Sequence, residues 1–292
     1  MRDGLKLILE VRTTRPQAIA EAAAARKRRD LLLGGDGKLF IIAADHPARG
    51  VLSAGGRPMA LGDRAQLLER LSLALRRPGV DGVLGTAEVI EDLLLLGELD
   101  NKVVIGSMNR GGLAGTSFEL DDRFTGYDAA TIARMGFDAG KMLFRIDPED
   151  PATAATMEAC ARAVSELAAC GLTAIVEPFI SHRVDGQVRN DLSPDAVTRS
   201  ISIAAGLGTT SAYTWLKVPV VEDMERVMAA STLPALLLGG EVSADQDAVF
   251  RRWDQALQIP SVRGLIVGRT LLFPPDDDVA GAVDAAVGLL RR

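Results

Sequence analysis

A lysine near the end of a short apolar run is the feature of this sequence with the clearest chemical potential. The run extends from Thr214 to Pro219 and the lysine is Lys217, in a chain with 6 lysines against 27 arginines. In an extended strand side chains alternate between faces, so Lys217 faces whatever the strand encloses, as does Trp215. A desolvated lysine loses basicity and can form a Schiff base with a ketone, which withdraws electrons from a breaking carbon–carbon bond. The alternative is a lysine whose stem covers apolar surface while its ammonium reaches water.

Two carboxylates and a second lysine occur at other apolar runs. Asp45 directly follows one run, Glu177 ends another, and Lys141 begins a third that also holds Arg145. If Lys141 enters a protein interior, an unpaired ammonium is costly there, so Glu177 or Asp45 is its expected partner. Alternatively, Asp45 caps a loop and Lys141 faces solvent at the start of its strand.

The sequence predicts neither a metal nor another cofactor. His46 and His182 are the only histidines, too few for a three-histidine metal site. No G-x-G-x-x-G follows the first strand-like run, which argues against dinucleotide binding. Asn109 and Arg110 follow a further run, and no role is predicted for them.

Glycines follow the last two strand-like runs and suggest a phosphate site. Gly239 and Gly240 follow the seventh run, and Gly268 and Arg269 follow the eighth. Turns at this position in α/β barrels often offer backbone N–H groups to a phosphate, and arginine adds positive charge. The alternative is that these are ordinary turn glycines, and the carboxylate of Glu241, next in sequence, is unfavourable beside a phosphate.

The elements that would position these residues alternate between strand and helix. Strand-like runs cover residues 39–44, 80–85, 103–107, 141–146, 172–177, 214–218, 235–238 and 265–267. Helical patterns cover residues 63–76, 87–96, 128–135, 151–169, 194–205, 222–230, 245–257 and 279–290, and one more covers 16–33 before the first strand. Eight strands alternating with eight helices predict an α/β fold, a (β/α)8 TIM barrel with an extra N-terminal helix. Its C-terminal strand ends would gather Asp45, Lys141, Arg145, Glu177 and Lys217.

Composition agrees with one catalytic barrel. The 292 residues predict a barrel domain over residues 38–292 and an N-terminal helical extension over 1–37. The net charge of −6 argues against a nucleic-acid partner, and no apolar run is long enough to span a membrane. The start resembles no signal peptide and the two cysteines have no zinc or redox spacing, so a cytoplasmic location is expected. The basic cluster Arg26 to Arg29 is interpreted as a solvated helix face or a subunit contact.

Most of residues 38–273 resembles the class I, Schiff-base aldolases of the deoxyribose-phosphate, fructose-bisphosphate and tagatose-bisphosphate group. The resemblance lies in Ala44-Asp45-His46, Lys141-Met142-Leu143-Phe144, Val176-Glu177-Pro178, Leu216-Lys217-Val218-Pro219 and Val267-Gly268-Arg269. It implies that Lys217 forms the imine, that Lys141 neighbours it, and that Glu177 or Asp45 transfers protons. It also implies phosphate binding by Gly239, Gly240, Gly268, Arg269 and Arg145, and a homo-oligomer. The tyrosine that some relatives use as a proton donor is not evident near Glu177.

The resemblance implies that this chain is a carbon–carbon lyase that acts on a small phosphorylated sugar. The sequence is most similar to a subgroup associated with inositol catabolism, which suggests 2-deoxy-5-keto-gluconate 6-phosphate as substrate and dihydroxyacetone phosphate as one product. Tagatose bisphosphate, sulfofructose phosphate and deoxyribose phosphate are alternative substrates, and transaldolase-like carbon transfer is an alternative reaction. A barrel that binds sugar phosphates without catalysis is the alternative of another class.

Overall fold

Continuous apolar runs form the strands, because the strands of a parallel barrel are covered on both faces. The computed structural model describes residues 2–240, 242–243 and 245–291. Its strands are β1 (Leu39–Ala43), β2 (Gly82–Gly85), β3 (Val103–Ser107), β4 (Ala139–Ile146), β5 (Thr173–Val184), β6 (Gln187–Asp191), β7 (Thr214–Val218), β8 (Ala235–Leu238) and β9 (Val262–Val267). All except β6 pair in parallel, and the pairings β1–β9 and β4–β5 close them into an eight-stranded barrel. The predicted TIM barrel is confirmed, and Lys217 is on β7, the sixth strand of the barrel.

Helices cover the outside of the barrel. They are α1 (Arg2–Thr14), α2 (Ala18–Ala25), α3 (Arg64–Leu75), α4 (Ala87–Leu95), α5 (Ala129–Arg134), α6 (Ala152–Ala169), α7 (Pro194–Ala205), α8 (Met224–Met228), α9 (Gln246–Ala256), α10 (Arg269–Leu272) and α11 (Val279–Leu290). Side-chain caps fix several starts: Asp63 accepts a hydrogen bond from the Gln66 amide, and Ser193 accepts one from the Ala196 amide. In the described part of the chain, no helix is long and apolar enough to cross a membrane.

Strand periodicity separates the two layers of the core. Alternate residues of each strand enclose the barrel interior, which is filled by Leu39, Ile41, Ala43, Leu84, Val103, Ile105, Ala139, Ile175, Leu236 and Ile266. Trp215 packs against this interior cluster, whereas Leu216 and Val218 belong to the larger core between strands and helices. The predicted alternation along β7 is therefore confirmed, and it turns Lys217 inward.

The N-terminal extension differs from the prediction in its details. The predicted helix over residues 16–33 ends at Ala25, and α1 precedes it. The chain leaves the helix because the Arg26 guanidinium donates to the carbonyls of Lys102 and Gly136, both at 2.7 Å, and Arg29 pairs with Asp81 at 2.6 Å. The interpretation of Arg26 to Arg29 as a solvated helix face is thus wrong for these two residues, which attach the extension to the barrel.

A β-hairpin extends the fifth barrel strand above the mouth. β5 continues from Glu177 to Val184 and then pairs with β6 in antiparallel fashion. Asp185 and Gly186 form the turn with φ values of +52° and +76°. An Asp-Gly pair between two extended segments is a strong signal for such a turn, although the predicted strand ended at Glu177.

Candidate active site

Two lysines and one carboxylate form the floor of the barrel mouth. The Lys217 ammonium nitrogen lies 2.8 Å from Oε1 of Glu177, and the Lys141 nitrogen contacts Oε2 of the same carboxylate. Lys141 is fully buried, Lys217 is 4% exposed and Glu177 is 7% exposed. Glu177 is therefore the acidic partner that the buried Lys141 was predicted to need.

The register of the barrel brings these three side chains together. Val176 of β5 lies opposite Leu216 of β7, so the next residues, Glu177 and Lys217, turn inward side by side. β4 lies on the other side of β5, and Lys141 shares the inward phase of β4 with Leu143. The neighbouring strands β4, β5 and β7 thus direct their polar side chains toward one point.

Asp45, two residues after the end of β1, joins this group and is completely buried. Its Oδ2 accepts a hydrogen bond of 3.1 Å from the Ser107 hydroxyl, contacts the Arg110 guanidinium, and lies 3.5 Å from the Lys141 nitrogen. Arg110 also donates to the Ser107 hydroxyl at 3.1 Å. No role was predicted for Arg110, and only its position after the end of a strand could have indicated one.

Burial and neighbouring charges set the protonation of the floor. Burial lowers the pKa of Lys217, and the ion pair with Glu177 opposes this shift without cancelling it. Burial and the Arg110 guanidinium lower the pKa of Lys141 well below its ordinary value. Burial raises the pKa of Glu177, but the ammonium groups of Lys141 and Lys217 outweigh this and lower it. The site thus favours an ionised carboxylate beside an amine that loses its proton readily.

A cavity of about 640 Å³ opens above the floor. Lys217 and Glu177 line it, whereas Lys141 and Asp45 lie behind its surface. A molecule in the cavity can therefore reach the Lys217 amine but not the Lys141 amine.

The predicted phosphate residues of β8 and β9 also line this cavity. Gly239, Gly240, Gly268 and Arg269 all contribute to its wall. A Cβ atom at Gly268 would lie 2.3 Å from the Ala43 carbonyl oxygen, so the backbone approaches too closely for a side chain. Glu241, predicted to disturb this site, lies outside the described residues.

Arg252 adds a positive charge on the same side. It lies on α9 and lines the cavity together with Val249, one turn earlier on the same helix face. The guanidinium forms no ion pair within the part of the chain that the structure describes. Its sequence context gave no signal, since an arginine on an amphipathic helix is usually a solvated surface residue.

Arg145 lines the cavity too, but its guanidinium is already engaged. Nε and Nη2 donate to the two carboxylate oxygens of Asp122 at 2.9 and 2.6 Å, and Nη1 donates to Glu119 at 3.3 Å. The side chain is 3% exposed. Such a bidentate, buried pair leaves Arg145 little capacity for a phosphate, which argues against the predicted role.

The two histidines occupy different positions relative to the cavity. His46 lines the cavity, and burial and then the charges of Arg269 and Lys217 hold its pKa well below the ordinary value. His182 lies outside the cavity wall, with Nδ1 3.8 Å from Asp147. Within residues 2–240, 242–243 and 245–291, no three His, Cys, Asp or Glu side chains are grouped to hold a metal ion.

Barrels of this kind include Schiff-base aldolases among the solved structures. A crystal structure of an archaeal fructose 1,6-bisphosphate aldolase covers 93% of this chain and 98% of its own, with 18% identity and a TM-score of 0.66. Another archaeal fructose-1,6-bisphosphate aldolase, whose catalytic lysine is covalently bound to the carbinolamine intermediate, covers 94% and 100%, with 19% identity and a TM-score of 0.66. At this identity the likeness establishes the shared fold.

The chain belongs to the Cgl0159-like family, whose model matches residues 37–287. The crystal structure of Cgl0159 from Corynebacterium glutamicum (Brevibacterium flavum) is 55% identical, covers 100% of this chain and 98% of its own, and has a TM-score of 0.97. A search of curated proteins found no match.

The lowered pKa of Lys217 predicts its reactivity toward acetic anhydride. Because a lowered pKa increases the neutral fraction below the ordinary value of 10.5, the labelling rate of Lys217 should rise at lower pH than that of acetyl-lysine amide in the same solution. Peptide mass spectrometry after pulse labelling from pH 6 to 11 measures this, with exposed Lys6 as the control for reagent access. Lys141 should remain unlabelled. A Lys217 profile that coincides with the reference compound would contradict the inferred protonation.

Proposed function

We propose that this protein is a class I aldolase that cleaves a phosphorylated keto sugar or sugar acid through a Schiff base on Lys217. The observation that carries the proposal is a buried amine that opens into a cavity and lies 2.8 Å from a carboxylate. Lys141 contacts the same carboxylate from behind the cavity surface, and burial together with the charges of Arg110 and Arg269 favours the neutral, nucleophilic form of Lys217.

The reaction would begin with attack of the Lys217 amine on the substrate ketone. Loss of water from the carbinolamine gives an iminium ion. A base then removes the proton of the hydroxyl two carbons from the iminium carbon, the carbon–carbon bond breaks, and the aldehyde leaves. The electron pair passes to the iminium and gives an enamine. Protonation and hydrolysis of this group release dihydroxyacetone phosphate and regenerate the amine.

Glu177 is the better placed of the two predicted proton-transfer groups. It lines the cavity and is ionised, so it is the carboxylate that a substrate hydroxyl in the cavity can reach. Asp45 is completely buried and faces Arg110, Ser107 and Lys141 instead of the cavity. We therefore assign proton transfer to Glu177, and we assign to Asp45 the positioning of Arg110 and Lys141.

The cavity side formed by β8 and β9 would hold the phosphate. The Gly239-Gly240 and Gly268-Arg269 turns line the cavity after β8 and β9, and their backbone N–H groups would donate to phosphate oxygens. Arg252 replaces Arg145 in this proposal as the additional cation, because Arg145 is paired with Asp122.

Borohydride trapping tests the proposed mechanism. With dihydroxyacetone phosphate and borohydride, the wild-type protein should gain one reduced adduct, and peptide mapping should place it on Lys217 because this amine opens into the cavity. Lys217→Met should form no adduct, and Lys6→Met, which removes an exposed lysine, should behave as the wild type. Full activity in Lys217→Ala with no adduct in the wild type would discard the proposal and favour other chemistry. Saturable binding without adduct or turnover would identify a non-catalytic sugar-phosphate-binding barrel.

The substrate is proposed from the sequence resemblance as 2-deoxy-5-keto-gluconate 6-phosphate. Cleavage between its third and fourth carbons would give dihydroxyacetone phosphate and a three-carbon aldehyde acid. A coupled assay of phosphorylated product, run at equal concentrations with tagatose bisphosphate, sulfofructose phosphate and deoxyribose phosphate, should give this sugar acid the highest kcat/KM. A higher kcat/KM for any other member of the panel would replace it and leave the mechanism in place.

The variants Glu177→Gln and Asp45→Asn distinguish the roles of the two carboxylates in proton transfer. Loss of the proton acceptor should lower kcat by about 10²- to 10⁴-fold, the usual contribution of general acid–base catalysis. Asp45→Asn should lower kcat less and move the acidic limb of the pH profile for adduct formation to lower pH, because removing a negative charge beside Lys141 and Arg110 lowers the amine pKa further. Steady-state kinetics and trapping rates from pH 5 to 9 measure both. Near-normal kcat in Glu177→Gln with inactive Asp45→Asn would reverse the assignment.

A further inference from the structure

The cavity wall opposite the glycine turns carries three guanidinium groups in different states of pairing. Arg145 is bound in bidentate fashion by Asp122, and Arg110 contacts Asp45. These two are compensated by buried carboxylates. The third, Arg49, has a weaker partner.

Arg49 lies in the short 3₁₀ turn Pro47–Arg49 that follows β1, and its side chain is 16% exposed. Its Nε donates to the Gly112 carbonyl at 3.1 Å, which fixes the orientation of the guanidinium. Its Nη2 lies 3.6 Å from Glu119, beyond hydrogen-bond range, and Glu119 also accepts bonds from Arg145 and from the Gly115 amide. Neither terminal nitrogen of Arg49 makes a hydrogen bond within the described residues.

The position of Arg49 is as informative as its pairing. Its contacts are with the loop after β3, which contains Gly112 and Glu119, so the guanidinium lies over the β3–β4 side of the mouth. The glycine turns follow β8 and β9, which are reached from β3 by crossing β2 and β1. Lys217 and Glu177 lie on the floor between them. A ligand held by its phosphate at the glycine turns and by its ketone at Lys217 would extend toward Arg49.

We propose that Arg49 binds an oxyanion at the end of the substrate remote from the glycine turns, so that the substrate is a sugar derivative with acidic groups at both ends. The inference rests on the proposed function, because Lys217 must hold the middle of the molecule. A planar guanidinium fixed through Nε presents two parallel donors, which match a carboxylate or a phosphate. Among the proposed substrates, deoxyribose phosphate has only one acidic end and does not satisfy this requirement.

Other cations are less suited to this position. Arg252 and Arg269 are on the side of the glycine turns. Arg189, opposite His182 in the β5–β6 hairpin, also lines the cavity, but it is exposed and no hydrogen bond within the described residues fixes its guanidinium. On the β3–β4 side of the cavity, Arg49 is thus a guanidinium that is oriented by a backbone carbonyl and has no hydrogen-bonded carboxylate among the described residues.

Three six-carbon probes without a ketone test the inference independently of Schiff-base formation. Glucitol 6-phosphate carries one acidic end, glucitol 1,6-bisphosphate carries two phosphates, and 6-phosphogluconate carries a phosphate and a carboxylate. Calorimetric titration at constant ionic strength measures the affinity of each probe. The wild type should bind at least one probe with acidic groups at both ends about 10- to 100-fold more tightly than glucitol 6-phosphate, as expected for a charge-assisted contact. The preferred probe identifies the oxyanion as carboxylate or phosphate.

Arg49→Gln should lose this preference while binding glucitol 6-phosphate as the wild type does, which also shows that the variant is folded. Arg49→Lys should restore part of it, and Arg199→Gln, which removes an exposed arginine on α7, should keep all of it. Equal affinity of the wild type for the three probes, or an undiminished preference in Arg49→Gln, would overturn the inference. Failure of dihydroxyacetone phosphate to label Lys217 would instead overturn the proposed function, since trapping does not involve the Arg49 side.

Discussion

The Glu177 carboxylate is the interaction on which the mouth of this barrel depends. Two ammonium groups buried side by side would repel each other strongly, and each would lose its hydration. Glu177 contacts both Lys141 and Lys217 and makes their proximity possible. One negative charge cannot compensate two positive charges in a buried site, so the arrangement favours loss of one proton. The accessible Lys217 is the amine that can use this state for chemistry.

Strand alternation explains how so many charged groups reach one level of a mostly apolar barrel. Along β4 the inward-facing residues change from apolar Ala139 to charged Lys141. Along β5 they change from apolar Ile175 to charged Glu177. Below this level the interior cluster consists of aliphatic side chains, and Trp215 packs against it. The apolar layer therefore excludes water from beneath the lysines, and this desolvation lowers the pKa of both.

The sequence predicted what local periodicity controls. All eight barrel strands, and the bounds of α7 and α11, agree with the structure, and the inward phase of Lys217 follows from alternation alone. Helix α1 was missed because a long-range contact stabilises it: Arg12 donates to Asp92 at 2.8 Å, 80 residues away. The β5–β6 hairpin was missed for a different reason. The predicted strand ended at Glu177, yet β5 continues through Pro178, which pairs with β4 opposite Phe144.

The pairing state of each arginine could not be predicted, and this decides which of them is available to a ligand. Arg145 lies on a barrel strand in the inward phase, whereas Arg49 lies in a loop, so sequence position favours Arg145 as a ligand group. The loop after β3 reverses this order, because it brings Asp122 against Arg145 and offers Arg49 only a backbone carbonyl and a distant, shared Glu119. A guanidinium saturated by a buried carboxylate would have to break that pair to bind substrate, at considerable cost. The terminal nitrogens of Arg49 make no hydrogen bond within the described residues, so binding of an oxyanion there breaks no such bond, and for that reason we assign the proposed recognition of a substrate oxyanion to the loop arginine.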